Sequence, residues 1–309
     1  MSKAHGAGRY APSPSGDLHL GNLRTALLAW AYARKSGLRF LLRIENLDER
    51  SRPEYEDSQL RDLEALGIDW DGVPIRQSER LSLYADIFAA LRDRGLLYEC
   101  YCTRRDLAES TRAPHRPPGS YPGTCRDLSS AERIAGRAKL AGTGRGPAAR
   151  LRTSSAQLTV TDANYGDCSA GVDDLVIQRG DGVYSYNFVS VVDDGEMGIT
   201  QIVRGADLLS STPRQVYLQR LLRYTEPEYR HVPLVLNAHG VRLAKRDGAV
   251  TMAALTATRG WSATDVVALL SASLGYPDVH TAAEFLEVFD PQRLAAPDST
   301  ARDPWRYEP

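Results

Sequence analysis

Cysteine, methionine and phenylalanine are scarce in this 309-residue chain, at four, three and five residues. Four thiols are too few for a disulfide framework in a chain of this length; they point to metal binding or to free thiols. No apolar run reaches the roughly 18 residues that a membrane helix needs, so no membrane span is expected. The opening Met-Ser-Lys-Ala-His-Gly has no apolar core of a secretory signal, and a cytoplasmic location is expected. Charge of one sign is missing too: the formal net charge is -1, and no global basic field announces a nucleic-acid partner. Internal repeats are absent.

What remains is ordinary for a folded enzyme. Apolar residues make up 42% and charged residues 25%, enough for one large or two modest domains. Local basic clusters occur at 133–152 and 242–246, where solvated charge is the simplest explanation.

The first half alternates strand and helix. Residues 9–11 read as a short strand and 39–44, Arg-Phe-Leu-Leu-Arg-Ile, as a buried one. Apolar residues at helical spacing mark 22–35, 53–66 and 81–94, closed by Gly37, Gly67 and Gly95. Strand-helix-strand order implies a Rossmann-like, doubly wound parallel sheet. Residues 99–167 break the rhythm with Pro- and Gly-rich stretches and read as an inserted subdomain. It divides the catalytic domain into 1–98 and 168–249. In the second half, strands are expected at 174–178, 183–192 and 200–203, with a hairpin turn at Asp181-Gly182. Helix is expected at 213–224. Residues 250–309 read as a small helical region with Val266, Val267, Leu269, Leu270 and Leu274 on a buried stripe, ending in a loose tail from 295.

Three groups carry candidate chemistry. The first is 8–22, a strand, a Pro-Ser-Pro-Ser-Gly turn, then His19-Leu20-Gly21-Asn22 opening an apolar helix. It offers a phosphate an imidazole, a residue without a side chain and a helix N-terminus. The second is Arg9, Ser13 and Glu45, which leave parallel strands at the edge where such sheets bind ligands. A carboxylate and a guanidinium suit a zwitterionic amino acid, although they could equally pair with each other. The third is Arg242 to Arg246, a short basic loop able to close over phosphates. Separately, Cys100, Cys102 and Cys125 bracket a Pro/Gly-rich loop and suit a structural zinc, or are three unliganded thiols.

Together these segments resemble the class I aminoacyl-tRNA synthetases. His19 to Asn22 is similar to their first signature and Arg242 to Arg246 to the second. Arg43 to Asp48, Leu66 to Trp70, Gln77 to Arg80, Val203 to Asp207 and His231 to Leu236 resemble the glutamyl branch in order. The chain ends soon after the second signature, leaving no room for anticodon-binding domains, and this matches short paralogues in that branch. The resemblance implies ATP, with magnesium, as a substrate, and L-glutamate as the amino acid activated. Arg9, Tyr10, Ala11, Pro12, Ser13, Glu45, Tyr186 and Arg204 would contact glutamate. His19, Gly21, Asn22 and Lys245 would contact ATP, with His19 and Lys245 catalytic. Tyr186 taken alone would read as strand core. The resemblance adds Tyr121 as the fourth zinc ligand, for which His115 is the conventional alternative by chemistry.

The acceptor implied is queuosine in the anticodon stem-loop of tRNA(Asp). A compact chain of this length has a radius of gyration of roughly 19 Å and would cover one end of a tRNA. A monomer is expected. Alternatives are a truncated glutamyl-tRNA synthetase charging a 3′ end and a non-catalytic sensor of tRNA or amino acid. The sequence departs from the family pattern at Asn22, where a second His is common, and at Arg242 and Ala244.

Overall fold

The computed structural model describes residues 6–103, 105–107, 121–154, 157–241, 243, 250–295 and 302–307. The strand β1 (Ala7–Tyr10) is buried along its whole length and is an inner strand of the main sheet. α1 (Leu20–Lys35) returns the chain to β2 (Arg39–Ile44), which pairs with β1 in parallel. α2 (Pro53–Ala65) leads to β3 (Ile75–Arg76), parallel to β2. α3 (Leu81–Asp93) then feeds β4 (Leu97–Cys100), the first strand outside the main sheet.

β4, β5 (Ala148–Leu151) and β8 (Val176–Gln178) form a small antiparallel sheet, and α4 (Ser130–Leu140) lies between β4 and β5 in sequence. β6 (Gln157–Asp162) and β7 (Gly166–Gly171) form a hairpin that joins the main sheet instead. α5 (Tyr186–Glu196), β9 (Ile199–Gly205), α6 (Thr212–Leu222) and β10 (Glu228–Val232) complete its centre. The main sheet runs β3-β2-β1-β9-β10-β6-β7, parallel except at the β6–β7 edge. Strand order reverses at β1, which opens a crevice beyond the carboxyl ends of β1 and β9.

Both faces of the sheet are covered. Phe40, Leu42 and Ile44 pack with α1, whereas the intervening Leu41 packs with Met197, Ile199 and Val216. That alternation follows from the two-residue period of a strand. Behind α1 lie α7 (Met252–Arg259), α8 (Ala263–Ala272) and α9 (Ala282–Val288), with Val266, Val267, Leu270 and Phe285 in the same core.

Three expectations need correction. Residues 183–192 are not a strand: α5 begins at Tyr186, and the Ser185 hydroxyl accepts from the Phe188 amide at 3.4 Å. The β-branched residues Val189, Val191 and Val192 favour strand locally, but helical spacing puts them with Phe188 in one core. The turn at Asp181-Gly182 is present, since Gln178 bridges Tyr184. The boundary at 167/168 cuts through β7, so part of the stretch read as an insertion belongs to the main sheet. Nor is the end of the chain a loose tail over 302–307. β12 (Trp305–Arg306) pairs with β11 (Val235–Leu236), and Tyr307 enters the main core. No helix among the described residues is long and apolar enough to cross a membrane.

Candidate active site

The loop leaving β1 is held from three sides. The Pro12 carbonyl accepts from the Glu45 amide at 2.9 Å, and the Pro14 carbonyl accepts from the Arg52 amide at 2.9 Å. The buried Gln59 amide reaches the carbonyls of Ser13 and Gly16 at 3.1 and 2.7 Å. This pinned turn delivers His19 to the N-cap of α1.

His19 Nδ1 accepts from the amides of Gly21 and Asn22 at 3.1 and 3.3 Å, and Asn22 Oδ1 accepts from the His19 amide at 3.3 Å. That reciprocal pair is a capping box, and it gives Asn22 a structural role at the position where the sequence departs from its family. With Nδ1 accepting, the proton of the neutral ring sits on Nε2 as a donor. Gly21 serves the same imidazole. A Cβ there would sit 2.9 Å from His19 Cε1 and 3.1 Å from Nδ1.

Behind this loop is a buried charge network. Arg43, with no exposed surface, donates to Glu45 at 3.0 Å and to Asp194 at 2.6 Å. Asp194 also accepts from Arg9 Nε at 3.1 Å. Arg9 and Glu45 therefore do not pair with each other; each has its own buried partner. Burial pushes the Glu45 carboxyl above the usual carboxylate range, against the opposing pull of Arg43. Burial also works against the Asp194 charge, but Arg43 and Arg9 outweigh it and hold that pKa down. Arg43 and Ser190 both reach Glu45 Oε1, and Oε2 has no partner among the described residues.

Arg204 at the end of β9 is equally constrained. It donates from Nε to His231 Nε2 at 3.0 Å, from Nη1 to Gln215 at 2.5 Å and from Nη2 to Thr212 at 2.9 Å. A fork open on both nitrogens is not available; an Nη1 hydrogen is what it has left to offer. Tyr186 is the first residue of α5 and 41% exposed, not strand core.

A cavity of about 460 Å³ gathers Arg9, Tyr10, Ala11, Pro12, Ser13 and Glu45 on one side with His19, Gly21, Asn22, Tyr186 and Arg204. Lys245 lies outside the described residues, as do Arg242 and Ala244. Within that segment Leu243 lines the cavity, and just beyond it the Val250 carbonyl accepts from the Leu20 amide at 3.0 Å. Gln59, Asp162 and Asp194 were not found from sequence, and His231 was marked only as the start of the segment that resembles the glutamyl branch. Their roles depend on contacts between distant segments; the adjacent carboxylates Asp193-Asp194 after an apolar run were a signal for Asp194.

The three cysteines also come together. Sγ atoms of Cys100, Cys102 and Cys125 lie within 4.8 Å of one another, and those of Cys102 and Cys125 are 3.6 Å apart. Tetrahedral zinc with bonds near 2.3 Å separates its sulfurs by about 3.8 Å, so the cluster fits that ion. The Tyr121 hydroxyl stands 3.5 Å from Cys100 Sγ and accepts from the Cys125 amide at 2.8 Å. The Arg150 guanidinium covers the Tyr121 ring at 3.6 Å and fixes its direction. Hydrogen bonds from Cys102 and Cys125 pull the Cys100 pKa down, and the same contacts push the Cys102 pKa up, so without a metal the trio concentrates its thiolate character on Cys100. His115 lies outside the described residues. Cys168 stands apart on β7, its thiol 3.8 Å from the Leu209 carbonyl.

The family model for class I tRNA synthetases (E and Q), catalytic domain, matches residues 7–291. The chain belongs to that family and is a ligase. Within it, the chain resembles proteins named Glutamyl-Q tRNA(Asp) synthetase over nearly its whole length. The one from Nocardia farcinica is 55% identical over 300 residues, 97% of this chain and 92% of that protein. The one from Cutibacterium acnes is 48% identical over 282 residues, 89% of this chain and 78% of its own. A glutamate–tRNA ligase 2 of Halorhodospira halophila is 42% identical, but the match takes in only 52% of that longer protein. The fold is shared with a glutamate tRNA ligase from Elizabethkingia meningosepticum. That match has a TM-score of 0.77 at 24% identity and covers 98% of this chain and 67% of the other.

Proposed function

We propose that this ligase activates L-glutamate with ATP, without tRNA, and passes it to queuosine in the anticodon loop of tRNA(Asp). The observation that carries the first step is the single cavity in which a donor-bearing His19, at a helix N-terminus, meets Arg9, Glu45 and Arg204. A glutamate carboxylate oxygen attacks the ATP α-phosphorus, the bond to pyrophosphate breaks, and glutamyl-adenylate forms. His19 Nε2–H and Lys245 meet the charge that grows on the phosphate oxygens, and the α1 amides add their dipole. Magnesium accompanies ATP. Gly21 and Asn22 line the nucleotide side.

On the amino-acid side, Glu45 Oε2 takes the ammonium, Arg9 and Arg204 take carboxylates, and the Tyr186 hydroxyl completes the ring of donors. Tyr10, Ala11, Pro12 and Ser13 form the wall that Gln59 holds in place. A queuosine hydroxyl then attacks the activated carbonyl, its proton is lost, and AMP leaves. The full-length match to proteins named Glutamyl-Q tRNA(Asp) synthetase supports this acceptor over a tRNA 3′ end. Cys100, Cys102, Cys125 and Tyr121 would hold one structural zinc, which would tie the end of β4 to residues 121–125.

Glutamate-dependent exchange of labelled pyrophosphate into ATP, without tRNA, tests the activation step. Exchange with glutamate and none with aspartate or glutamine is expected. A folded, zinc-loaded protein that exchanges nothing would make the chain a binder of amino acid or tRNA.

A further inference from the structure

Behind Arg204 runs a buried chain of hydrogen bonds that ends on the β6–β7 hairpin. Arg204 Nε donates to His231 Nε2 at 3.0 Å, and His231 Nδ1 lies 2.6 Å from Asp162 Oδ2. His231 has no exposed surface and Asp162 is 2% exposed. A carboxylate can only accept, so Nδ1 carries the proton. Nε2 is then the lone pair that Arg204 needs. Burial lowers the His231 pKa, which keeps the ring neutral.

The chain is braced on each side. Asp162 Oδ1 accepts from the amides of Asn164 and Tyr165 at 3.0 and 2.9 Å, and Oδ2 accepts from the His231 amide at 3.0 Å. The Tyr229 ring stacks on His231 and lies under the Arg204 guanidinium.

We infer that Asp162 and His231 are positioning residues for amino-acid recognition: Asp162 selects the His231 tautomer, and that tautomer orients Arg204 toward the substrate carboxylate. This rests on the reading of Arg204 as a glutamate contact. It also gives the hairpin a purpose in the site, since Asp162 is the last residue of β6. The arrangement parallels a carboxylate that fixes a catalytic histidine's tautomer without touching substrate.

Asp162→Asn isolates this role. Placing the new amide nitrogen at Oδ1 would oppose two backbone N–H groups; placing it at Oδ2 opposes one. The second orientation is favoured, and it donates to Nδ1. The ring proton then moves to Nε2, where it faces the Arg204 Nε–H, donor against donor.

The test combines ¹⁵N NMR of the His231 ring with pyrophosphate exchange kinetics. In the wild type the proton is expected on Nδ1, and in Asp162→Asn on Nε2. The variant should raise the glutamate KM by about tenfold or more, with kcat and the ATP KM little changed. An unswitched ring, or a switched ring with an unchanged glutamate KM, overturns the proposal. Arg204→Ala separates the two levels. If it leaves the glutamate KM unchanged, the reading of Arg204 itself fails.

Should Asp162→Asn not fold, His231→Gln and His231→Leu carry the same test. The Gln oxygen can replace Nε2 as acceptor and should keep the glutamate KM near wild type, whereas Leu should raise it. Equal KM values for the two would contradict the proposal.

Discussion

Gly21→Ala is a small change with a large consequence for catalysis. Inside a helix this substitution ordinarily stabilises by about 1 kcal/mol. Here the added Cβ would lie 2.9 Å from His19 Cε1 and 3.1 Å from Nδ1, with Val235 Cβ at 3.5 Å behind it. Carbon contacts relax at about 3.5–4.0 Å, so the imidazole must shift by several tenths of an ångström. It cannot do so and keep both the Gly21 and Asn22 amides on Nδ1. Losing two neutral hydrogen bonds costs about 2 kcal/mol, which the helix propensity half offsets. The net loss of about 1 kcal/mol lowers Tm by about 1–2 °C in a chain of 309 residues. Activity responds far more strongly, because a donor aimed at developing charge is worth about 10²–10³ in kcat. Pyrophosphate exchange and a melting curve on the same sample separate the two effects. A folded Gly21→Ala protein that exchanges at the wild-type rate would refute the placement of His19 at the reacting phosphate.

Further outcomes follow from other parts of the molecule. Burial, helped by the nearby Asp17 charge, pushes the Asp62 pKa up to about 6. The folded state then holds this proton more tightly than the unfolded chain, so stability falls as pH rises from the ordinary carboxylate range through 6. Asp62→Asn should add about 1 kcal/mol at pH 7, allowing for partial solvent screening, and nothing at pH 4; equal Tm gains at both would contradict this. Asn22→Ala removes the side-chain half of the capping box and should cost about 1 kcal/mol, read by urea unfolding. In the metal site, the purified protein should carry one zinc by atomic emission, and Tyr121→Phe should weaken its hold in a chelator competition. An unchanged affinity would remove Tyr121 from the ligand set.

Much of the framework was legible because local signals agreed with burial. Gly37, Gly67 and Gly95 adopt positive φ at the helix ends where they were expected. Arg39–Ile44 is a strand over the residues read as one, since its apolar run is buried on both faces. Residues 183–192 failed for the opposite reason: β-branched composition outvoted the Ser185 cap. The docking of Trp305 and Tyr307 had no local signal, because it depends on an edge offered by Val235 and Leu236. In the site, charge type was readable but partnership was not. Arg9 and Glu45 could be named, yet Arg43 and Asp194, which separate and hold them, are visible as partners only when three segments meet.

The acceptor is the central claim. The direct measurement charges two preparations of tRNA(Asp), one bearing queuosine and one unmodified, with labelled glutamate, followed by nuclease mapping of the label. The account predicts label only on the queuosine-bearing tRNA and only in the anticodon fragment. Equal charging of both preparations, or label on the terminal adenosine, would contradict it.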